Sequence, residues 1–244
     1  MKRVVDAHVH LSDFSREEIE EFVEEGYIMI AVSEDYESSL KTLELRDLYP
    51  ENVKACVGIH PWKTREPINI RSELEKVLDL VKEADCIGEV GLDKKFVPEP
   101  TLNDQQYLFT AFIDQAIQTG KPLNIHSAGA WRETLEALHE KEAKKVILHW
   151  WTGPLELLKE IIKHEFFVTV NASIKIQPKS RNIARELPLS LLLTESDGPY
   201  NYRGLYLNPK LLPETLHIIS QIKGVPLEDL EHNIWKNFLK LFNK

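Results

Sequence analysis

The chain has 244 residues, 43% of them hydrophobic and 28% charged, which sets it among globular proteins with a core to bury. Its 30 basic and 39 acidic residues leave a formal net charge of −9, which argues against the broad basic face of a duplex nucleic-acid binder but not against a small phosphate substrate neutralised locally by metal ions. No apolar run approaches the ~18 residues of a membrane span, and no signal-peptide core follows Met1, Lys2 and Arg3, so a cytoplasmic, soluble protein is expected.

In chain order, short apolar runs alternate with stretches of helical spacing. The first run, 4–10, precedes a helical segment around 17–24, and the second, 28–32, precedes one around 38–48. The third, 54–59, is followed by Leu74, Val77, Leu78 and Val81 at i, i+3, i+4, i+7. After the fourth, 86–90, come Phe109, Phe112, Ile113, Ala116 and Ile117, with a helix stop at Gly120 and Pro122. The fifth, 122–126, leads to 131–139. The sixth, 146–149, leads to a helix opened by Gly153-Pro154, with proline in its first turn and Leu157, Leu158, Ile161 and Ile162 on its apolar face. The seventh, 167–171, leads to 183–187, and the eighth, 191–195, to helices over 211–222 and 227–242. Both cysteines, Cys56 and Cys86, fall in apolar strands and read as buried free thiols rather than a disulfide.

Eight buried strands alternating with helices admit a closed barrel or an open doubly wound sheet. No dinucleotide fingerprint or phosphate loop follows the first strand, and the histidines favour the barrel. His139, His164, His217 and His232 fall on predicted helices, where a solvated or helix-end role is the default. His8, His10, His60, His126 and His149 all fall at C-terminal strand ends, which in a (β/α)₈ barrel converge on one face. His8 and His10, two apart on a strand, project to the same side and can grip one cation. Glu89 ends the fourth strand and can bridge two metals through its two oxygens, while Asp197 follows the eighth. The imidazole and carboxylate set lacks thiolates and suits Zn²⁺ or Mn²⁺.

The motifs Asp6-Ala7-His8-Val9-His10, Gly58-Ile59-His60-Pro61, Gly88-Glu89-Val90-Gly91-Leu92-Asp93 and Glu195-Ser196-Asp197-Gly198-Pro199-Tyr200 run collinearly along the chain, with Asn237-Phe238 before Leu241-Phe242 at its end. Together they resemble the TatD family of the amidohydrolase superfamily. The resemblance implies a single TIM-barrel domain over 1–244 holding two divalent metal ions, Zn, Mn or Mg. One would be held by His8, His10, Glu89 and Asp197, with Glu89 bridging to a second on His126 and His149. It further implies metal-dependent deoxyribonuclease activity on DNA ends or single strands, with His60 meeting a substrate phosphate.

Two departures stand out. The family's fifth-strand motif runs from histidine through one residue to arginine, but here His126 is followed by Ser127 and Ala128; Arg132 is a candidate substitute, with a surface ion pair as its other reading. Near Arg203 and Asn208-Pro209 the family pattern is stretched. Asp197 is the candidate general base. Asp6 either orients a ligating imidazole or is structural. Lys63, Arg65, Lys94 and Lys95 either meet phosphates or form a solvated rim, and Trp62, Trp150 and Trp151 either stack on an unpaired base or pack loops. Two rival readings remain open: a hydrolase of a small phosphoester, amide or lactone, and a non-catalytic barrel that binds a partner.

Overall fold

Each of the eight apolar runs forms a strand, and each strand pairs in parallel with the next. In the computed structural model, which describes residues 3–66, 69–97 and 101–242, these are β1 (Val4–Val9), β2 (Tyr27–Ala31), β3 (Val53–Val57), β4 (Cys86–Gly91), β5 (Leu123–His126), β6 (Val146–Leu148), β7 (Phe167–Val170) and β8 (Leu192–Thr194). They form one sheet in sequence order. Every residue of β2, β4, β6, β7 and β8 is buried, as strands covered on both faces must be. The sheet curls until β8 meets β1. At that seam Thr194 Oγ1 donates to the Val5 carbonyl (2.7 Å), the Asp197 amide to His8 (3.0 Å) and the His10 amide to Gly198 (2.8 Å). The result is a nearly closed TIM-type barrel, as the alternation of runs implies. Met1 and Lys2, on which the expectation about the start of the chain partly rests, lie outside the described residues.

The helices are α1 (Arg16–Glu24), α2 (Tyr36–Leu48), α3 (Ile70–Leu80), α4 (Leu102–Thr119), α5 (Trp131–Glu140), α6 (Leu158–Lys163), α7 (Pro178–Glu186), α8 (Leu212–Lys223) and α9 (Leu227–Phe242). Ser15 and Asp35 open α1 and α2 with reciprocal capping boxes, and Gly120, at φ 68°, ends α4 in the left-handed conformation. On α4, Phe109, Phe112, Ile113 and Ala116 are buried against the barrel, but Ile117 is 49% exposed, so the apolar arc is narrower than the sequence period suggests. Pro154 does not sit in a helical turn: it is extended (ψ 141°) ahead of a 3₁₀ turn at Leu155–Leu157, and α6 begins only at Leu158. Among the described residues no helix is long and apolar enough to cross a membrane.

Two features depart from expectation. Cys56 and Cys86 are not free thiols. They are register partners on adjacent strands β3 and β4, their Cα atoms 4.3 Å apart, and they form a disulfide. Cysteines 30 residues apart come face to face only because parallel pairing sets them side by side. The second feature is a short hairpin after the barrel, β9 (Tyr200–Tyr202) antiparallel to β10 (Leu205–Leu207), where the family pattern is stretched. Its two turn residues, Arg203 (φ 48°) and Gly204 (φ 86°), are both left-handed, as a two-residue hairpin loop requires.

Candidate metal centre

The C-terminal strand ends bring His8 of β1, His10 just beyond it, Glu89 of β4, His126 of β5 and His149 after β6 around one point, and the β1–β8 seam carries Asp197 to the same place. Gly91, at φ 146°, allows β4 and β5 to close there: a Cβ on it would lie 2.0 Å from the His126 carbonyl oxygen. Glu89 forks between two groups of side chains. Its Oε2 is 3.4 Å from both His8 Nε2 and His10 Nε2, and Asp197 Oδ1 stands 3.4 and 3.6 Å from the same two nitrogens. Its Oε1 is 2.8 Å from His126 Nδ1, 2.8 Å from His149 Nε2 and 3.2 Å from His60 Nε2.

Hydrogen bonds decide which nitrogens carry lone pairs. Asn124 Nδ2 donates to the Ala7 carbonyl (2.8 Å), so its Oδ1 must accept, and His8 Nδ1 donates to it at 2.8 Å. That leaves a bare lone pair on His8 Nε2, fully buried, without a hydrogen-bond partner and facing two carboxylate oxygens. Such an arrangement calls for a cation between the three groups. Ligands held at ~2.0–2.2 Å around a tetrahedral ion stand roughly 3.4 Å apart, which is the spacing seen. His126 is oriented in the same way: Nε2 donates to Asp93 Oδ2 (2.9 Å) and Nδ1 faces Glu89. The donor set of His8, His10 and Asp197 could hold a metal ion. His60, Glu89 and His126 are also close enough, but His60 Nδ1 accepts from the Trp62 amide (3.2 Å). A neutral His60 therefore carries its proton on Nε2 and presents a donor, not a ligand. Burial among other imidazoles, against the pull of Glu89, pushes His60 down to about 4, which keeps it neutral.

The carboxylates stay ionised. Burial opposes charge on Glu89, but the imidazoles crowded around it outweigh burial and hold the group well below its usual range. Burial likewise opposes Asp197, and the His10 and His8 imidazoles that face it bring it below the ordinary aspartate value. On Asp93, burial is outweighed by His126, the Phe96 amide and Trp62, which draw it to about 2.

The sequence-derived residues divide in two. His8, His10, His60, Glu89, His126, His149 and Asp197 meet around the fork. Lys63 turns to an acidic group instead, 2.9 Å from Asp35, 3.4 Å from Glu66 and 3.9 Å from Glu34. Arg132 is exposed on α5 and does not line the cleft above the fork. Lys94 pairs with Glu133 at 2.7 Å. Trp150 faces the cleft, whereas Trp151 is buried in the core. Asp6 accepts from the Ser196 amide (2.8 Å) and the His8 amide (3.3 Å) rather than from an imidazole, which agrees with the structural one of its two readings; the partner of the His8 ring is Asn124. Three residues that shape the site escape a search for ligands: Asn124, Asp93 and Glu195. Glu195 is fully buried, accepts from Thr169 Oγ1 (2.6 Å) and the Trp150 amide (2.9 Å), and lies 3.7 Å from His149 Nδ1. Each had a signal: Asn124 and Glu195 precede His126 and Asp197 by two positions, and Asp93 ends the most distinctive motif.

A barrel with imidazoles and carboxylates gathered at its C-terminal mouth defines a metal-dependent hydrolase. The human deoxyribonuclease TATDN3 is 28% identical over 99% of this chain and 95% of its own length. The uncharacterized metal-dependent hydrolase MJ1582 of Methanocaldococcus jannaschii is 28% identical over 99% of this chain and 98% of its own. Among solved structures, the TatD homologue YJJV of Escherichia coli K12 superposes with a TM-score of 0.88 at 22% identity, covering 99% of this chain and 98% of that one. The model of the TatD-related DNase family matches residues 5–243, and the chain belongs to that family.

Proposed function

We propose that the chain, as one domain over 1–244, is a phosphodiesterase that uses two divalent cations, Zn, Mn or Mg, to cleave DNA ends or single strands. The observation that supports this most is the fork of Glu89, whose two oxygens face two separate donor groups. His8, His10, Asp197 and Glu89 Oε2 would hold one ion; His126, His149 and Glu89 Oε1 would hold the other. A cation pair of this kind lowers the pKa of bound water and neutralises charge on the attacking and leaving oxygens. Asp197 would take the proton from the attacking water and pass it to the leaving oxygen. His60 would donate its Nε2 proton to a phosphate oxygen, and Asn124 and Asp93 would keep His8 and His126 in their ligating tautomers.

Lys63 turned to Asp35 and Arg132 outside the cleft lining both support another contact for the substrate phosphate. Among the described residues lining the cleft, Lys95 is the one lysine or arginine, and it is the phosphate contact proposed in their place. This shortage of cations, together with the net charge of −9, favours a second reading in which the substrate is a small phosphoester.

Metal analysis of the purified protein should find about two divalent ions per chain, and chelation should abolish cleavage of end-labelled single-stranded DNA. His126→Ala should remove one ion and the activity together. DNA left intact while a small phosphomonoester turns over would replace the first reading with the second. Turnover of lactones or amides alone would overturn both.

A further inference from the structure

The cleft above the fork encloses about 250 Å³, and its walls differ in chemistry. Asp13 and Glu34 line one part, beside His10. Trp62, Phe96, Trp131, Trp150, Tyr200 and Tyr202 line much of the rest. Trp150 stands with its ring centre 5.0 Å from that of Tyr202 and 6.3 Å from that of Tyr200, edge to face with both. Trp62 and Phe96, which also line the cleft, lie 6.0 Å apart. Several independent contacts fix this aromatic wall. Trp150 has a left-handed backbone (φ 34°), a conformation that costs energy for a bulky residue and recurs at ligand clamps. Its amide is held by Glu195 Oε1 and Thr169 Oγ1, each at 2.9 Å. Gln177 Nε2 donates to the Tyr202 hydroxyl, anchoring the hairpin that carries both tyrosines. Glu195 also lies 3.7 Å from His149 Nδ1, so one buried carboxylate stands beside both the aromatic wall and a residue of the fork.

We propose that Trp150, braced by Tyr200 and Tyr202, is the stacking face for the unpaired base of a terminal nucleotide whose phosphate lies at the forked glutamate. The proposal rests on the phosphodiesterase reading of the site. A ligand for this cleft needs an anionic group at the fork and a planar group beside Trp150, and a nucleotide joins the two. The acidic wall repels further phosphates, so the sugar-phosphate chain is turned away from Asp13 and Glu34 and the base towards the indole. A base inside a duplex has no free face to offer, whereas an unpaired base stacks irrespective of its identity. Lys95, whose Nζ lies 4.8 Å from the Phe96 ring centre, stands on the aromatic side, where it can meet the single phosphate.

The test compares two end-labelled oligonucleotides, one ending in thymidine and one in an abasic residue, cleaved by the metal-loaded enzyme. Wild type should favour the thymidine end by roughly ten- to a hundredfold in KM, the range that base–aromatic stacking gives on alanine substitution. Trp150→Ala should erase that preference by weakening only the thymidine substrate, and Trp150→Phe should restore part of it. Equal KM for both ends in wild type, or an equal loss for both in Trp150→Ala, overturns the stacking face while leaving the phosphodiesterase reading intact. If neither oligonucleotide is cleaved, that reading fails and calorimetry on the metal-loaded protein decides the subsite separately. Thymidine monophosphate binding at least tenfold tighter than deoxyribose 5-phosphate, with the difference lost in Trp150→Ala, supports it; equal affinities overturn it.

Discussion

Asn124 shows how much one neutral side chain can decide. Because its amide nitrogen is committed to the Ala7 carbonyl, its oxygen takes the His8 Nδ1 proton and leaves the opposite nitrogen bare. Partners of this kind are worth about 10–100-fold in metal affinity. Asn124→Ala should therefore weaken divalent-ion binding by about that factor in calorimetric titration, with the far-ultraviolet spectrum unchanged; wild-type affinity would show that His8 needs no orienting partner. Asp93 acts likewise on His126, and it also accepts from Trp62 Nε1 (2.6 Å) and from the amides of Lys95 and Phe96 (2.7 Å each). One carboxylate thus fixes an imidazole and the loop that brings Lys95 and Phe96 to the cleft.

At the scale of single elements, the cap of α2 and the β3–β4 pair make the sharpest statements. Asp35 accepts from the Ser38 amide (2.9 Å) and pairs with Lys63 (2.9 Å). Partial burial opposes its charge, but Lys63 and Ser38 outweigh burial and lower its pKa. A depressed aspartate stabilises the fold above its unfolded value, ~3.9, and ceases to do so as pH falls through the folded one. Asp35→Ala should cost about 1 kcal/mol at pH 7, the usual worth of an N-cap, and the gap between mutant and wild-type urea midpoints should shrink by pH 3. A gap independent of pH would mean the carboxylate charge contributes nothing. The disulfide spans 30 residues, a loop whose closure is worth roughly 3–4 kcal/mol by the chain-entropy account. Denatured, unreduced protein should show no titratable thiol, and Cys56→Ala/Cys86→Ala should lose about that much stability. Two free thiols per chain would restore the reading made from the sequence.

Across the whole molecule, the site doubles as the closure of the barrel. The β1–β8 seam carries His8, His10 and Asp197, so ionised carboxylates and lone pairs confront one another where the sheet must join. An ion that binds only the folded chain stabilises it by about 2.7 kcal/mol at a hundred times its dissociation constant. Chelation should lower the thermal midpoint, and added Mn²⁺ or Zn²⁺ should raise it in a concentration-dependent way. A midpoint indifferent to both would separate the seam from metal binding.

The sequence by itself determined the eight strands, their alternation with helices and the convergence of His8, His10, Glu89, His126, His149 and Asp197. Those features rest on local periodicity and on a barrel rule that sends every strand's C-terminal end to one face. Only the tertiary structure decided the Cys56–Cys86 bond, the Asn124–His8 and Asp93–His126 pairings, the diversion of Lys63 to Asp35 and the aromatic wall of Trp150, Tyr200 and Tyr202. Each of these depends on strand register or on a loop path. Side chains as far as 116 residues apart become neighbours there, and no pattern within either segment records the other's position.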